Sequence, residues 1–359
     1  MSVHEILILI MAVFALLGAI DRIFGNKTGL GKEFENGILA MGSLAMAMLG
    51  IIALAPVLAR LLRPVVVPVY GFLGADPAMF AGTILACDMG GATLAQELTA
   101  DPEAALLGGL LGGSMLGATV VFTIPVAMGI LRQEDRPFLA KGILSGIVTI
   151  PVGILVGGLV AGFPVGKILR NLIPVVLIAV VIALGLWKAE KAMIKGFGWF
   201  GKGITALITA GLALAIFQEL TGIVILPGLA SLSEGFETVG AIAIVLAGAF
   251  PLVYVLTKLL RKPLLRLGKV LGIGDTAAAG LVATLANSIA TFGMVKDMDD
   301  RGKVVNVAFA VSAAFVFGDH MGFTAGFAPE MLPAVIAGKL AGGITAVAVA
   351  LWLTRKKET

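Results

Sequence analysis

The chain is dominated by apolar stretches of about bilayer length. They run approximately from Ile6 to Phe24, Ile38 to Leu62, Leu106 to Leu131, Gly142 to Phe163, Ile168 to Leu186, Trp199 to Leu220, Val239 to Leu260, Val304 to Phe327 and Leu332 to Leu353. A transmembrane helix needs about 20 such residues. Lipid also leaves helices and closed barrels as the only backbones that can satisfy themselves while spanning. With 59% hydrophobic and 13% charged residues in 359, the fold class is an all-α polytopic membrane protein. The 48 glycines suit close helix crossings, where small residues let backbones approach. The net charge of +4 sits mostly in short loops, which marks topology and not a nucleic-acid face. The single Cys87 excludes an internal disulfide framework. Glu5 precedes the first apolar run, with no basic region before it and no small-residue cleavage site after it, so no removable signal peptide is expected.

Two further segments, Pro77 to Leu98 and Thr276 to Val295, are of span length but poorer in bulky side chains. Each is interrupted, by Asp88-Met89-Gly90-Gly91 and by Ala286-Asn287-Ser288. If both spanned, with the basic C-terminal tail inside, Lys258, Arg261, Lys262, Arg266 and Lys269 would fall outside. If both turn back, only Arg60, Arg63, Lys167 and Arg170 lie outside, with Lys339 inside a span. Cytoplasmic loops carry the positive excess. The expected topology is therefore about nine transmembrane helices plus two re-entrant hairpins and a cytoplasmic C-terminus; ten or eleven spans with two broken helices is the alternative.

An internal repeat accompanies this pattern. At an offset of 198 residues, Leu61-Leu62-Arg63 matches Leu259-Leu260-Arg261, Ala81-Gly82 matches Ala279-Gly280, Thr93 matches Thr291 and Ser114 matches Ser312. At 196, Gly142, Leu144, Gly146 and Thr149 match Gly338, Leu340, Gly342 and Thr345. The division is residues 1–165 as a first repeat with its hairpin near 77–98, a connecting helix at 166–190, and residues 191–359 as a second repeat with its hairpin near 276–296. Hairpins entering from opposite faces make the repeats inverted, a plan of secondary transporters in which broken segments meet near the midplane. Asp88 and Asn287 are then expected to approach each other.

Irregular backbone at membrane depth survives only against protein or a watery cavity, and ionisable residues there are expensive and functional by default. Asp88 offers a carboxylate to a cation, Gly90 and Gly91 allow close backbone approach, and Asn287 offers a donor and an acceptor. A second polar island, Phe317-Gly318-Asp319-His320-Met321-Gly322, adds Asp319 and His320. Asp88 is expected to contact the cation and Asp319 to orient His320, which would bind a hydroxyl. The plainer roles are a structural Asp319–His320 pair, a helix cap for Asn287, and hydroxyls bonded back to their own helix for Ser114 and Ser312, all of which remain candidates. No phosphate-binding glycine loop or dinucleotide fingerprint occurs. One cysteine and two isolated histidines do not compose a zinc motif, and no cofactor is expected.

The stretches Phe80 to Gly91, Val282 to Asn287, and Val311 to Phe315 with Gly318-Asp319-His320 resemble the ethanolamine permeases of bacterial ethanolamine-utilisation operons. The resemblance runs nearly end to end, including Ala40-Met41-Gly42 and Gly302 to Asn306, with a shorter loop between the fifth and sixth apolar spans. It implies uptake of ethanolamine across the cytoplasmic membrane, by coupled transport or facilitated diffusion, for an ammonia-lyase inside a microcompartment. A homo-oligomer is compatible with it. The rival reading is an intramembrane aspartyl protease using Asp88 and Asp319, but its motifs would need glycine at Val316 and tyrosine at Cys87.

Overall fold

A computed structural model of the chain describes residues 1–355; Lys356 and Lys357 of the basic tail lie outside the described residues. The first half contains α1 (Val3–Ile23), α2 (Leu30–Phe72), α3 (Ala78–Ile84), α4 (Gly91–Leu98), α5 (Pro102–Ala105), α6 (Ile124–Ile130), α7 (Arg136–Ile147) and α8 (Ile150–Val160). Between α5 and α6 the helix continues in π geometry through Leu106–Gly117 and Thr119–Thr123. Then follow α9 (Val165–Thr221), α10 (Leu232–Leu271), α11 (Asp275–Ala286), α12 (Ser288–Met294), α13 (Asp300–Ala313), α14 (Asp319–Phe327) and α15 (Leu332–Leu353).

Among the described residues, 7 helical stretches are long and apolar enough to cross a membrane, fewer than the nine apolar runs. Two differences have local causes. The 57-residue α9 carries two runs joined at Ala189, whose φ of −141° and ψ of 46° break the helix. The run from Val304 to Phe327, expected as one span, is divided between α13 and α14 by non-helical residues from Ala314 to Gly318. Phe315 there holds a left-handed φ of +63°, a strained conformation for a bulky side chain. The freed backbone is satisfied by protein: Phe315 N donates to Thr284 O at 3.2 Å and Phe317 N to Leu285 O at 2.9 Å, as membrane depth requires.

Both interrupted segments break where the sequence is polar. After α3, Leu85 and Ala86 are extended, Cys87–Met89 makes one tight turn, and Gly90 turns left-handed at φ +89° before α4. A Cβ at Gly90 would also collide with Ile51, so glycine is required there by conformation and by space. In the second segment Asn287 is extended and its Oδ1 accepts from Ile289 N at 2.8 Å, capping α12. The ends of each segment are tied. Asp76 accepts from Thr99 Oγ1 at 2.8 Å, and Asp299 accepts from Gly274 N at 2.7 Å while capping α13 through Gly302 N at 3.0 Å. Thr291 Oγ1 donates back to Gly280 O at 3.1 Å and lies 2.8 Å from Thr284 Oγ1.

The helix from Pro102 to Ile130 is central: 89% of its apolar stretch is buried, against 11% for α1. Its glycines explain how short helices reach it. A Cβ at Gly108 would stand 2.7 Å from Ala78 O, and one at Gly109 would stand 2.5 Å from Ala95 Cβ, so α3 and α4 lie directly on the π-helical stretch. Leu16, Val181 and Ile244 are among many large apolar side chains left exposed, as a lipid-facing surface requires. At one end of the bundle the Lys303 ammonium lies 2.7 Å from Asp135, a nearly buried ion pair joining the start of α13 to the loop before α7.

Candidate functional site

Two cavities open at the broken segments. The first, about 210 Å³, is lined by Ser43, Ala86, Asp88, Phe122, Phe315, Asp319 and His320 among others. The second, about 300 Å³, is lined by Glu33, Tyr254, Thr257, Asn287, Phe317, Gly318 and Asp319 among others. Asp319 lines both.

In the first cavity Asp88 Oδ1 lies 3.8 Å from His320 Nε2, and His320 is almost fully buried. The His320 ring is 5.2 Å from that of Phe315, which meets Phe122 edge-on at 5.5 Å. A carboxylate beside aromatic rings is a favourable setting for an organic ammonium, by charge and by cation–π attraction. His320 Nδ1 is buried with no hydrogen-bond partner among the described residues, so the imidazole retains capacity for a ligand or proton.

The His320 ring faces Asp88, where the sequence suggests Asp319 as its partner. Consecutive residues on a helix project about 100° apart and do not face each other. Both lie at the start of α14, so when His320 turns toward Asp88, Asp319 reaches the wall between the cavities.

The remaining residues separate. Asn287 lines the second cavity and not the one holding Asp88, so the tip residues do not share one cavity; Asp319 lines both. Gly90 and Gly91 shape the turn carrying Asp88 and line neither cavity. Ser114 Oγ bonds back to Leu111 O at 3.0 Å, whereas Ser312 Oγ is buried without a partner among the described residues. Cys87, Asp88 and His320 place their ligand atoms within 4.8 Å of one another, a grouping able to hold a metal ion that separation in sequence concealed. Lys339, which lines neither cavity and is not among the candidates read from the sequence, is 1% exposed, and its Nζ donates to Ser114 O at 2.6 Å. The available signal was a lysine in the middle of an apolar run.

Acids and an imidazole gathered around small cavities at breaks in apolar helices define a polytopic membrane transporter. The particular family follows from comparison: the family described as "Ethanolamine utilisation protein, EutH" matches residues 3–353, and the chain belongs to it. It is 60% identical over 356 residues to "Probable ethanolamine permease EutH" of Listeria monocytogenes, covering 99% of this chain and 95% of that protein. The Escherichia coli protein of the same description is 49% identical over 396 residues, covering 100% and 97%. The "Uncharacterized protein YxeR" of Bacillus subtilis is 51% identical over 354 residues, covering 99% and 96%. No solved structure matches the chain. The family is one of permeases, transporters rather than enzymes. That overturns the protease reading, although Asp88 and Asp319 do share a cavity.

Proposed function

We propose that the chain imports ethanolamine across the cytoplasmic membrane by alternating access, with the protonated amine held by Asp88 and the hydroxyl by His320. The observation that carries this is the position of Asp319 between two cavities, one holding Asp88 and His320 and the other Asn287, Glu33 and Tyr254. A cation leaving Asp88 meets a second carboxylate before it reaches the far cavity, so it never crosses the low-dielectric interior without a counter-charge. The acidic residue lining both cavities serves as a relay. Delivery inside would supply a cytoplasmic ethanolamine ammonia-lyase.

The topology proposed with it is two inverted repeats with two re-entrant hairpins, α3–α4 and α11–α12. Three features support it. The tied ends, Asp76 to Thr99 and Gly274 to Asp299, suit segments that leave the membrane on the side they entered. Asp101, whose backbone N–H reaches Thr99, opens the helix Pro102–Ile130; that helix runs on toward Asp135, which pairs with Lys303 beside the second tie. Its 29 residues are enough to cross the hydrocarbon layer even with part of the helix in the tighter-rising π geometry, which suits hairpin bases on opposite faces. The helices after the break at Ala189 also repeat the order of those from α1 to α8.

The test is uptake of labelled ethanolamine by the purified chain in liposomes, with a quaternary amine lacking the hydroxyl as comparison. Saturable uptake of ethanolamine is expected; liposomes no more permeable than protein-free ones would refute the proposal.

A further inference from the structure

Lys339 is a buried amine that the transport reading leaves unused. It lies seven residues into α15, about 10 Å from the start of that helix. A lysine near a helix end normally extends its ammonium to the interface. Here it turns inward to the carbonyl of Ser114, on the π-helical stretch. The adjoining Gly113 lies against Cys87, where a Cβ would stand 3.0 Å from Cys87 N. The ammonium thus sits on the stretch of backbone that packs behind the turn presenting Asp88. Filling this space needs only a leucine or methionine, whereas a charged lysine in a membrane interior costs several kcal/mol.

The charges around the first cavity give that expense a purpose. The titratable and charged groups gathered there are Asp88, Asp319, His320, Cys87 and Lys339. If both carboxyls and the amine are ionised while imidazole and thiol are neutral, the group carries one negative charge. We propose that Lys339 is the resident cation of the site. It offsets one carboxylate, so that the cluster accepts a single monovalent ammonium and excludes a diammonium, and the empty site never carries two unbalanced charges through the membrane. This rests on the transport reading and adds the determinant of its charge selectivity.

The test compares wild type, Lys339→Gln and Lys339→Arg in liposomes, using ethylenediamine to compete with labelled ethanolamine at a pH where both of its amines are protonated. Glutamine keeps a donor for Ser114 O without the charge; arginine keeps the charge. Competition by the diamine should strengthen by about tenfold or more in Lys339→Gln, since one unbalanced carboxylate is worth at least that factor, and stay at the wild-type level in Lys339→Arg. A folded Lys339→Gln with wild-type selectivity would overturn the assignment, as would a folded Lys339→Arg that selects like the glutamine variant. A measurement on the wild type alone stands beside it: calorimetric titration with ethanolamine in two buffers of different ionisation enthalpy should show no net proton exchange. Release of about one proton per ethanolamine bound would mean that a proton, and not Lys339, balances the second carboxylate. Wild-type protein that binds no ethanolamine would instead overturn the transport reading itself.

Discussion

Replacing Asp88 by Asn keeps the shape of the turn at Cys87–Met89 and removes the charge that faces His320 across 3.8 Å. An ammonium about 4 Å from a carboxylate gains about 4 kcal/mol at an effective dielectric of about 20. The asparagine carbonyl still accepts a hydrogen bond and recovers about 1 kcal/mol. The net loss of about 3 kcal/mol lowers affinity by about two orders of magnitude. Asp319, on the cavity wall, keeps its charge, so weak entry into the cavity persists while tight binding does not. The assay is the concentration dependence of labelled ethanolamine uptake in liposomes, with size-exclusion behaviour of the detergent-solubilised variant as the check of folding. The half-saturating concentration should rise by about a hundredfold for Asp88→Asn, whereas Asp319→Asn should chiefly slow transfer between the cavities. Wild-type affinity and rate in Asp88→Asn, with Asp319→Asn inactive, would refute the assignment of roles. Wild-type behaviour in both would refute the site.

Three other outcomes are expected. Asp135→Ala removes the close partner of the nearly buried Lys303 ammonium and leaves it only the exposed Asp300 at 3.8 Å and the face of Phe138; a loss of about 1–3 kcal/mol is expected, less than for a pair broken outright, and an unchanged thermal midpoint in detergent would contradict it. In a Cys87-free background, cysteines at the exposed positions Lys262 and Gln96 should react with an impermeant thiol reagent from inside and outside the cell respectively; labelling of position 262 from outside would overturn the hairpin topology. The Lys167 ammonium, donating to Asp101 beside it, holds the Asp101 carboxyl below the usual carboxylate range. Because that value is depressed on folding, the contribution of this half-exposed pair is complete above the unfolded carboxylate value and disappears as pH falls through the folded one. Asp101→Asn should therefore lower the thermal midpoint slightly at neutral pH and not at strongly acidic pH, and an equal effect at both would count against the pair.

Composition and the length of the apolar runs determined the fold class, because lipid permits few ways to satisfy a backbone and helices of that length are the simplest. The same rule marked the turns at Asp88 and Asn287, since glycines and polar residues within weakly apolar segments cannot sit against lipid. What those signals could not carry was direction. Asp319 and His320 are adjacent in sequence and read as a pair, but the helical start at Asp319 sends one side chain to Asp88 and the other to the wall between two cavities. The left-handed Phe315 follows no glycine or asparagine signal; it is held by hydrogen bonds to the end of α11 and by packing on Phe122 and His320. Lys339 read as a lone charge within a span until the fold set its ammonium on Ser114 O, behind Asp88. Hydropathy is a property of successive residues and is legible along the chain. A charge cluster joins residues some 230 to 250 positions apart, here Asp88 with His320 and Lys339, and exists only once helix crossings over glycine bring those residues together.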